Sequence, residues 1–143
     1  MKKIYKRSDR VSVAIDDITV KLAPLTFDQK NEIQQCMLDG RAKNDIAILS
    51  KGITLAMRYS LKGIEGVQDT DGQPYKLTAD TAGNLTDECI DDLLNLENKE
   101  KLTLVCMALL RGIPDQFSDE KGLPIVGVSF ATTSSEGSKV PNA

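Results

Sequence analysis

The stretch VSVAIDDITVKL, residues 11–22, constrains the fold more than any other part of the chain. Apolar and polar residues alternate with a period of two on both sides of an aspartate pair, the pattern of a half-buried strand. Val11, Val13 and Ile15 share one face of the first arm, and Ile18, Val20 and Leu22 share one face of the second. With Asp16-Asp17 as a two-residue loop, Ile15 lies opposite Ile18 and both apolar sets fall on one side of a hairpin. Asp-Asp is a poorer loop than Asn-Gly, because both central residues are expected at positive φ. Pro24 ends the second arm.

Beyond Pro24 the period changes from two to three and four. Thr26 with Gln29 fits a capping box, predicting a helix to about Leu38 with Ile33, Cys36 and Met37 inward and Gly40 as its stop. A second helix is expected from near Asn44 to about Gly63, with Ile46, Leu49, Ile53, Ala56 or Met57, and Leu61 along its stripe. Thr86 caps a short helix in which Asp87 and Glu88 favour the N-terminal end of the dipole, and Cys89, Ile90, Leu93 and Leu94 are buried. A further helix starts at Asn98, with Leu102, Val105, Cys106 and Leu109 inward. Leu104, Ala108 and Leu110 widen that surface nearly around the helix, which is therefore expected to be central and buried by the others. LPIVGVSF, residues 123–130, reads as a short strand, and the small polar tail ATTSSEGSKVPNA as disordered. The expected class is α+β, mainly α: an N-terminal β-hairpin, about four helices, a short hairpin near 66–77 and a disordered C-terminal tail. One domain is expected over 1–130 with a flexible tail over 131–143, and no internal repeat is evident.

The segment GVQDTDGQPYKL, residues 66–77, invites a metal-site reading that its spacing does not support. With Asp69 at the first position of a calcium loop, Asp71 and Gln73 take the third and fifth. Pro74 then falls where the sharp bend requires glycine, and Asp80 where glutamate is wanted. A tight turn at Asp71-Gly72 is the better match, with Gln68 and Gln73 beginning antiparallel pairing.

Histidine is absent from all 143 residues. That excludes Ser-His and Cys-His nucleophile arrangements and histidine metal sites. No phosphate-cradling glycine motif is present, and Cys36, Cys89 and Cys106 lack metal-ligand spacing; they read as small buried hydrophobes. Asp87 with Asp91, and Glu88 with Asp92, line up on one helix side, but a solvated acidic face accounts for them, and six aromatics without tryptophan are few for a sugar cleft. Net charge is −3, from 18 basic and 21 acidic residues, which argues against a nucleic-acid binder despite Lys2, Lys3, Lys6, Arg7 and Arg10 near the start. MKKIYKRSDR has no apolar run behind it, so no signal peptide is expected, and no stretch is long enough for a membrane span. No enzyme, cofactor, metal, nucleic-acid or membrane role is read from these residues.

Three stretches taken together resemble the tail assembly chaperones of long-tailed (siphovirus-type) bacteriophages. They are ITVKLAPLTFDQKNEIQ (18–34), MRYSLKGIEGVQDTDGQPYKL (57–77) and LTDECIDDLLNL (85–96), about a third of the chain in fixed order. The resemblance implies a non-enzymatic chaperone that binds the tape measure protein and helps recruit the tail tube protein. It implies a homo-oligomer, a C-terminally extended frameshift product, a place in the host cytoplasm during phage assembly, and absence from the mature virion. For such a role Ile64, Val67, Ile125, Val126, Val128 and Phe130 are the candidate protein-interaction residues, against ordinary core packing. The alternative is a structural head-tail connector or tail completion protein, which would remain in purified particles.

Overall fold

The computed structural model describes residues 3–114 and 118–119. Strands β1 (Val11–Ile15) and β2 (Ile18–Leu22) form the expected hairpin, in register from Val11 opposite Leu22 to Ile15 opposite Ile18. Of the loop pair only Asp16 takes positive φ, at 55°. The turn therefore asks for one left-handed residue, and aspartate is among the side chains that tolerate that conformation.

Helix α1 (Phe27–Lys43) opens on the complete capping box. Thr26 Oγ1 accepts from the Gln29 backbone N–H at 3.1 Å, and Gln29 Oε1 accepts from the Thr26 N–H at 2.9 Å. Contrary to expectation, the helix does not stop at Gly40. It continues to Lys43 and closes on Asn44 at φ 51°. Gly40 is buried against α2 (Ile46–Ser60), where an added Cβ would lie 2.7 Å from Leu49 Cδ2. Its role is to let two helices approach, and the chain reverses at Asn44-Asp45 instead. Asp45 caps α2, accepting from the Ala47 N–H at 2.9 Å.

The inward residues of α2 are Gly52, Leu55, Ala56 and Met57, whereas Ile46 is 77% exposed. The helix also ends before Gly63. At Leu61 it passes directly into a third strand, β3 (Leu61–Glu65), antiparallel to β2 with Ile64 opposite Val20. Five residues interrupted by glycine are too few to display alternation, and pairing with β2 decides their conformation. The junction is tied by Ser60, whose hydroxyl donates to the Ala56 carbonyl at 2.6 Å while its own carbonyl accepts from Ala23. Register slips beside Lys21 and Leu22, leaving Lys62 as the extra residue of a bulge. β4 (Ser118–Asp119) pairs with Val11 and Ser12, so the sheet order is β3-β2-β1-β4.

After β3 come two successive tight turns of the same construction, DTDGQ at 69–73 and DTAGN at 80–84, so that, contrary to expectation, the chain carries a short internal repeat. Asp69 N–H donates to the Gln73 carbonyl at 2.8 Å, and Asp80 N–H donates to the Asn84 carbonyl at 2.8 Å. Gly72 and Gly83, both at φ 83°, return bonds of 3.0 Å to the Asp69 and Asp80 carbonyls. The first turn is the short hairpin expected near 66–77, though the bridge joins Gln68 to Pro74 rather than to Gln73. Only Gly72 of the Asp71-Gly72 pair needs positive φ.

Thr86 caps α3 (Asp87–Leu93), accepting from the Cys89 N–H. α4 (Lys99–Ala108) follows and tightens into a 3₁₀ turn over Leu109–Arg111. The core is one cluster beneath a single sheet face. Val11, Val13, Ile15, Val20 and Leu22 meet Leu55 to Met57 of α2, Cys89, Ile90 and Leu93 of α3, Leu102, Val105 and Cys106 of α4, and Leu109 of the 3₁₀ turn. α4 is not enclosed on all sides, however, because Leu104 is 49% exposed. The strand expected over 123–130 and the tail over 131–143 lie outside the described residues.

Candidate interaction surface

Ile64 and Val67 sit at the margin of the core, packed against it and partly open. Ile64, opposite the buried Val20, lies on the core face at the end of β3, while Val67 rims a mainly polar hollow of about 510 Å³ with Asp16, Gln68 and Asn98. Ile125, Val126, Val128 and Phe130 lie outside the described residues. The structure thus brings only Ile64 and Val67 of the candidate set into view, on the β3 side of the molecule.

A second, partly open apolar surface is on α4. Residues spaced three and four apart share a helix face, and the set Leu102, Val105, Cys106 and Leu109 is buried. The set Leu104, Met107 and Ala108 lies on the other side and, with Leu110 and Ile113, lines a groove of about 630 Å³. Arg41 near the end of α1, Arg111 at the end of the 3₁₀ turn, Gly112 and Pro114 also line it. A smaller hollow of about 360 Å³ adjoins it through Arg111, Gly112 and Ile113, and adds Lys3, Lys30 and Tyr5. The sequence signal for this surface is the apolar widening at Leu104, Ala108 and Leu110. It predicts enclosure, whereas the structure leaves that face open.

Two acidic residues of α3, Asp87 and Asp92, fasten neighbouring segments. Arg58 donates to the Leu85 carbonyl and to Asp87 Oδ1, each at 2.7 Å, which ties α2 to the second turn and the start of α3. The Tyr75 hydroxyl donates to Asp92 Oδ2 at 2.9 Å and lies 3.5 Å from Cys89 Sγ, fastening the first turn to the same helix. Burial and the Cys89 and Asp92 contacts push the Tyr75 hydroxyl well above its ordinary pKa. Lys62, sent outward by the bulge, donates to the Gly83 carbonyl at 2.7 Å. Its pKa is lowered mainly by burial and secondarily by Arg10. Of the pairs Asp87 with Asp91 and Glu88 with Asp92, one member of each, Asp87 and Asp92, is thus engaged as a fastener of a turn.

Across the molecule, Tyr59 donates to Glu32 at 2.6 Å between α2 and α1, and this bond, with partial burial and the Glu32 charge, raises its pKa to about 12. Asp16 accepts from Lys101 at 2.8 Å and from Asn98 at 3.3 Å, joining the hairpin loop to α4. Among the described residues, no three His, Cys, Asp or Glu side chains converge as a metal site would require. No helix there is long and apolar enough to cross a membrane.

Fold and surface define a small α+β protein, a helix pair and two further helices on a short antiparallel sheet, with an apolar groove left open along the last helix. Comparison of the chain with protein-family models, curated proteins and solved structures finds no match in any of the three.

Proposed function

We propose that this chain is a non-enzymatic tail assembly chaperone of a long-tailed bacteriophage, binding the tape measure protein and helping recruit tail tube subunits. The observation that carries this reading is the ordered occurrence of the three resembling stretches, 18–34, 57–77 and 85–96. The open apolar groove on α4 suits the role. A long helical client with apolar seams aggregates when bare, and shallow repeated contacts from many copies shield it without a deep pocket. Copies of the chain and a C-terminally extended frameshift product supply that multivalency in the host cytoplasm.

Co-expression tests the proposal. The tape measure protein encoded beside this gene, insoluble alone, becomes soluble and co-purifies with the chain. The chain is absent from purified virions by mass spectrometry. Failure to co-purify, or a stoichiometric presence in particles, defeats the proposal, and the second result favours a connector or tail completion protein.

A further inference from the structure

We infer that the groove along α4 is a docking site for an amphipathic helix whose apolar stripe is flanked by carboxylates. Three observations lead there. First, α4 carries two apolar faces. One is buried in the core, and the other, through Leu104, Met107 and Ala108, is partly open, with Leu104 49% exposed and its neighbours half-buried, and continues into Leu110 and Ile113. A helix with apolar residues most of the way round is normally enclosed, so an open second face is a surface made for a partner. Second, the lining suits a helix: apolar side chains stand one turn apart along α4, and they include a methionine, which adapts to varied apolar contacts. Third, its charge is one-sided. Among the described residues, Arg41 and Arg111 line it and no carboxylate does, and Lys3 and Lys30 extend the basic rim into the adjoining hollow. This stands out in a chain with 21 acidic against 18 basic residues. Among the described residues, none of these four cations is held in an ion pair, since the pairs formed are Arg58–Asp87 and Lys101–Asp16. An acidic rim on the occupant would meet them, setting orientation and partner choice more than raw affinity.

For the identity of the occupant this inference rests on the chaperone reading, in which the groove takes acidic-flanked helical segments of the tape measure protein. For the chemistry of the occupant it stands alone. The test uses the full chain and two designed helical peptides with the same leucine stripe, one flanked by glutamates and one by lysines. Fluorescence anisotropy should show the glutamate peptide binding at least tenfold more tightly, with affinity falling as salt rises. Leu104→Ser and Arg111→Glu should each weaken it about tenfold while circular dichroism and the thermal midpoint stay near wild type. Equal binding of both peptides, no binding, or indifference to both substitutions overturns the inference. It is also overturned if Leu104→Ser dissociates an oligomer in light scattering, which makes the occupant a second copy. Binding that appears only after Ile125→Ser and Phe130→Ser has the same effect, since it makes the occupant the chain's own downstream segment. A tape measure segment that binds equally well to Leu104→Ser and Arg111→Glu preserves the chaperone reading and defeats this site. The reverse pattern, with the glutamate peptide bound and no tape measure segment bound, preserves the site and defeats the chaperone reading.

Discussion

Asp69 and Asp80 hold equivalent positions in two consecutive turns, each carboxylate accepting from the backbone two and four residues ahead. Asp69 Oδ1 takes the Asp71 and Gln73 N–H groups at 2.9 and 3.0 Å, and Asp80 Oδ1 takes those of Ala82 and Asn84 at the same distances. Such a side chain satisfies amide donors that a tight bend leaves without a backbone partner. The two turns differ in anchorage. The second is held by Lys62 on the Gly83 carbonyl and by the Leu85 N–H on the Arg58 carbonyl, whereas the first is held through Tyr75.

Removing either carboxylate should loosen its turn. Asp69→Ala and Asp80→Ala should each cost about 1 kcal/mol, the scale of a lost side-chain cap. Asp80→Ala should cost the more, because its turn is bonded to both α2 and the β3 bulge. Asp80→Asn retains an acceptor oxygen and should recover most of the loss. Urea midpoints at constant slope measure all three, and a larger loss at Asp69 would contradict the anchorage argument.

Gly40→Ala sets two effects against each other. Helix propensity alone favours alanine by up to about 1 kcal/mol, the helix-interior figure, and by less in the last turn of α1 where Gly40 lies. Against it, the new Cβ would meet Leu49 Cγ and Cδ2 at 2.7 Å and the Leu49 backbone nitrogen at 3.0 Å. Forcing a methyl between packed elements costs about 1–3 kcal/mol, and the backbone contact does not yield to a rotamer change. Net destabilisation of about 1 kcal/mol is expected, partly relieved in the double variant with Leu49→Ala. An increased urea midpoint for Gly40→Ala would show that α1 and α2 have room to separate.

These particulars also mark how far the chain is legible before its fold is known. The hairpin register and the Thr26 and Thr86 caps follow from local rules, since period and capping chemistry act within a few residues. Gly40 is misread as a stop because a glycine looks the same whether it ends a helix or admits a neighbouring one. β3 is invisible because its conformation comes from pairing with β2, distant in sequence. For the groove, the apolar widening of α4 is visible, but whether its second face is covered depends on where α1 and the 3₁₀ turn lie. Arg41 and Arg111 join it only through that packing, so no local pattern announces them.

Asp16 offers a test by pH. The hydrogen bond from Lys101 holds its carboxyl below the ordinary carboxylate pKa, with Asn98 adding to the effect and partial burial opposing it. A folded-state pKa below the unfolded one means stability that is present above about pH 4, the unfolded value, and lost as pH falls through the lowered value. Both partners are about half exposed, with side-chain accessibilities of 57% for Lys101 and 48% for Asp16, so the pair contributes little. Asp16→Asn keeps a side chain that tolerates positive φ and removes only the charge, so it should cost roughly 0–1 kcal/mol at pH 7. At pH 3 the difference from wild type should shrink. A difference that persists unchanged at pH 3 would assign the role of Asp16 to the turn rather than to its charge.

Thiol reactivity tests how the last helix is packed. Cys106 is fully buried, and burial pushes its thiol up to about 12, the Ser60 hydroxyl offsetting this only in part. A thiol with so high a pKa is almost wholly protonated at neutral pH and reacts poorly even when reached. Cys89 is buried as well, beneath Tyr75, whereas Cys36 is half-buried in α1 and donates to the Ile48 carbonyl at 3.2 Å. Iodoacetamide at pH 7.5 should therefore label Cys36 first. Cys89 and Cys106 should lag by roughly a hundredfold or more, the factor set by an opening free energy of about 3 kcal/mol. Peptide mass spectrometry over a time course separates the three sites, and 6 M urea, added as a control, should equalise them. Labelling of Cys106 at the Cys36 rate in native buffer would mean that the buried face of α4 opens freely. The distinction between its enclosed and exposed faces would then fail.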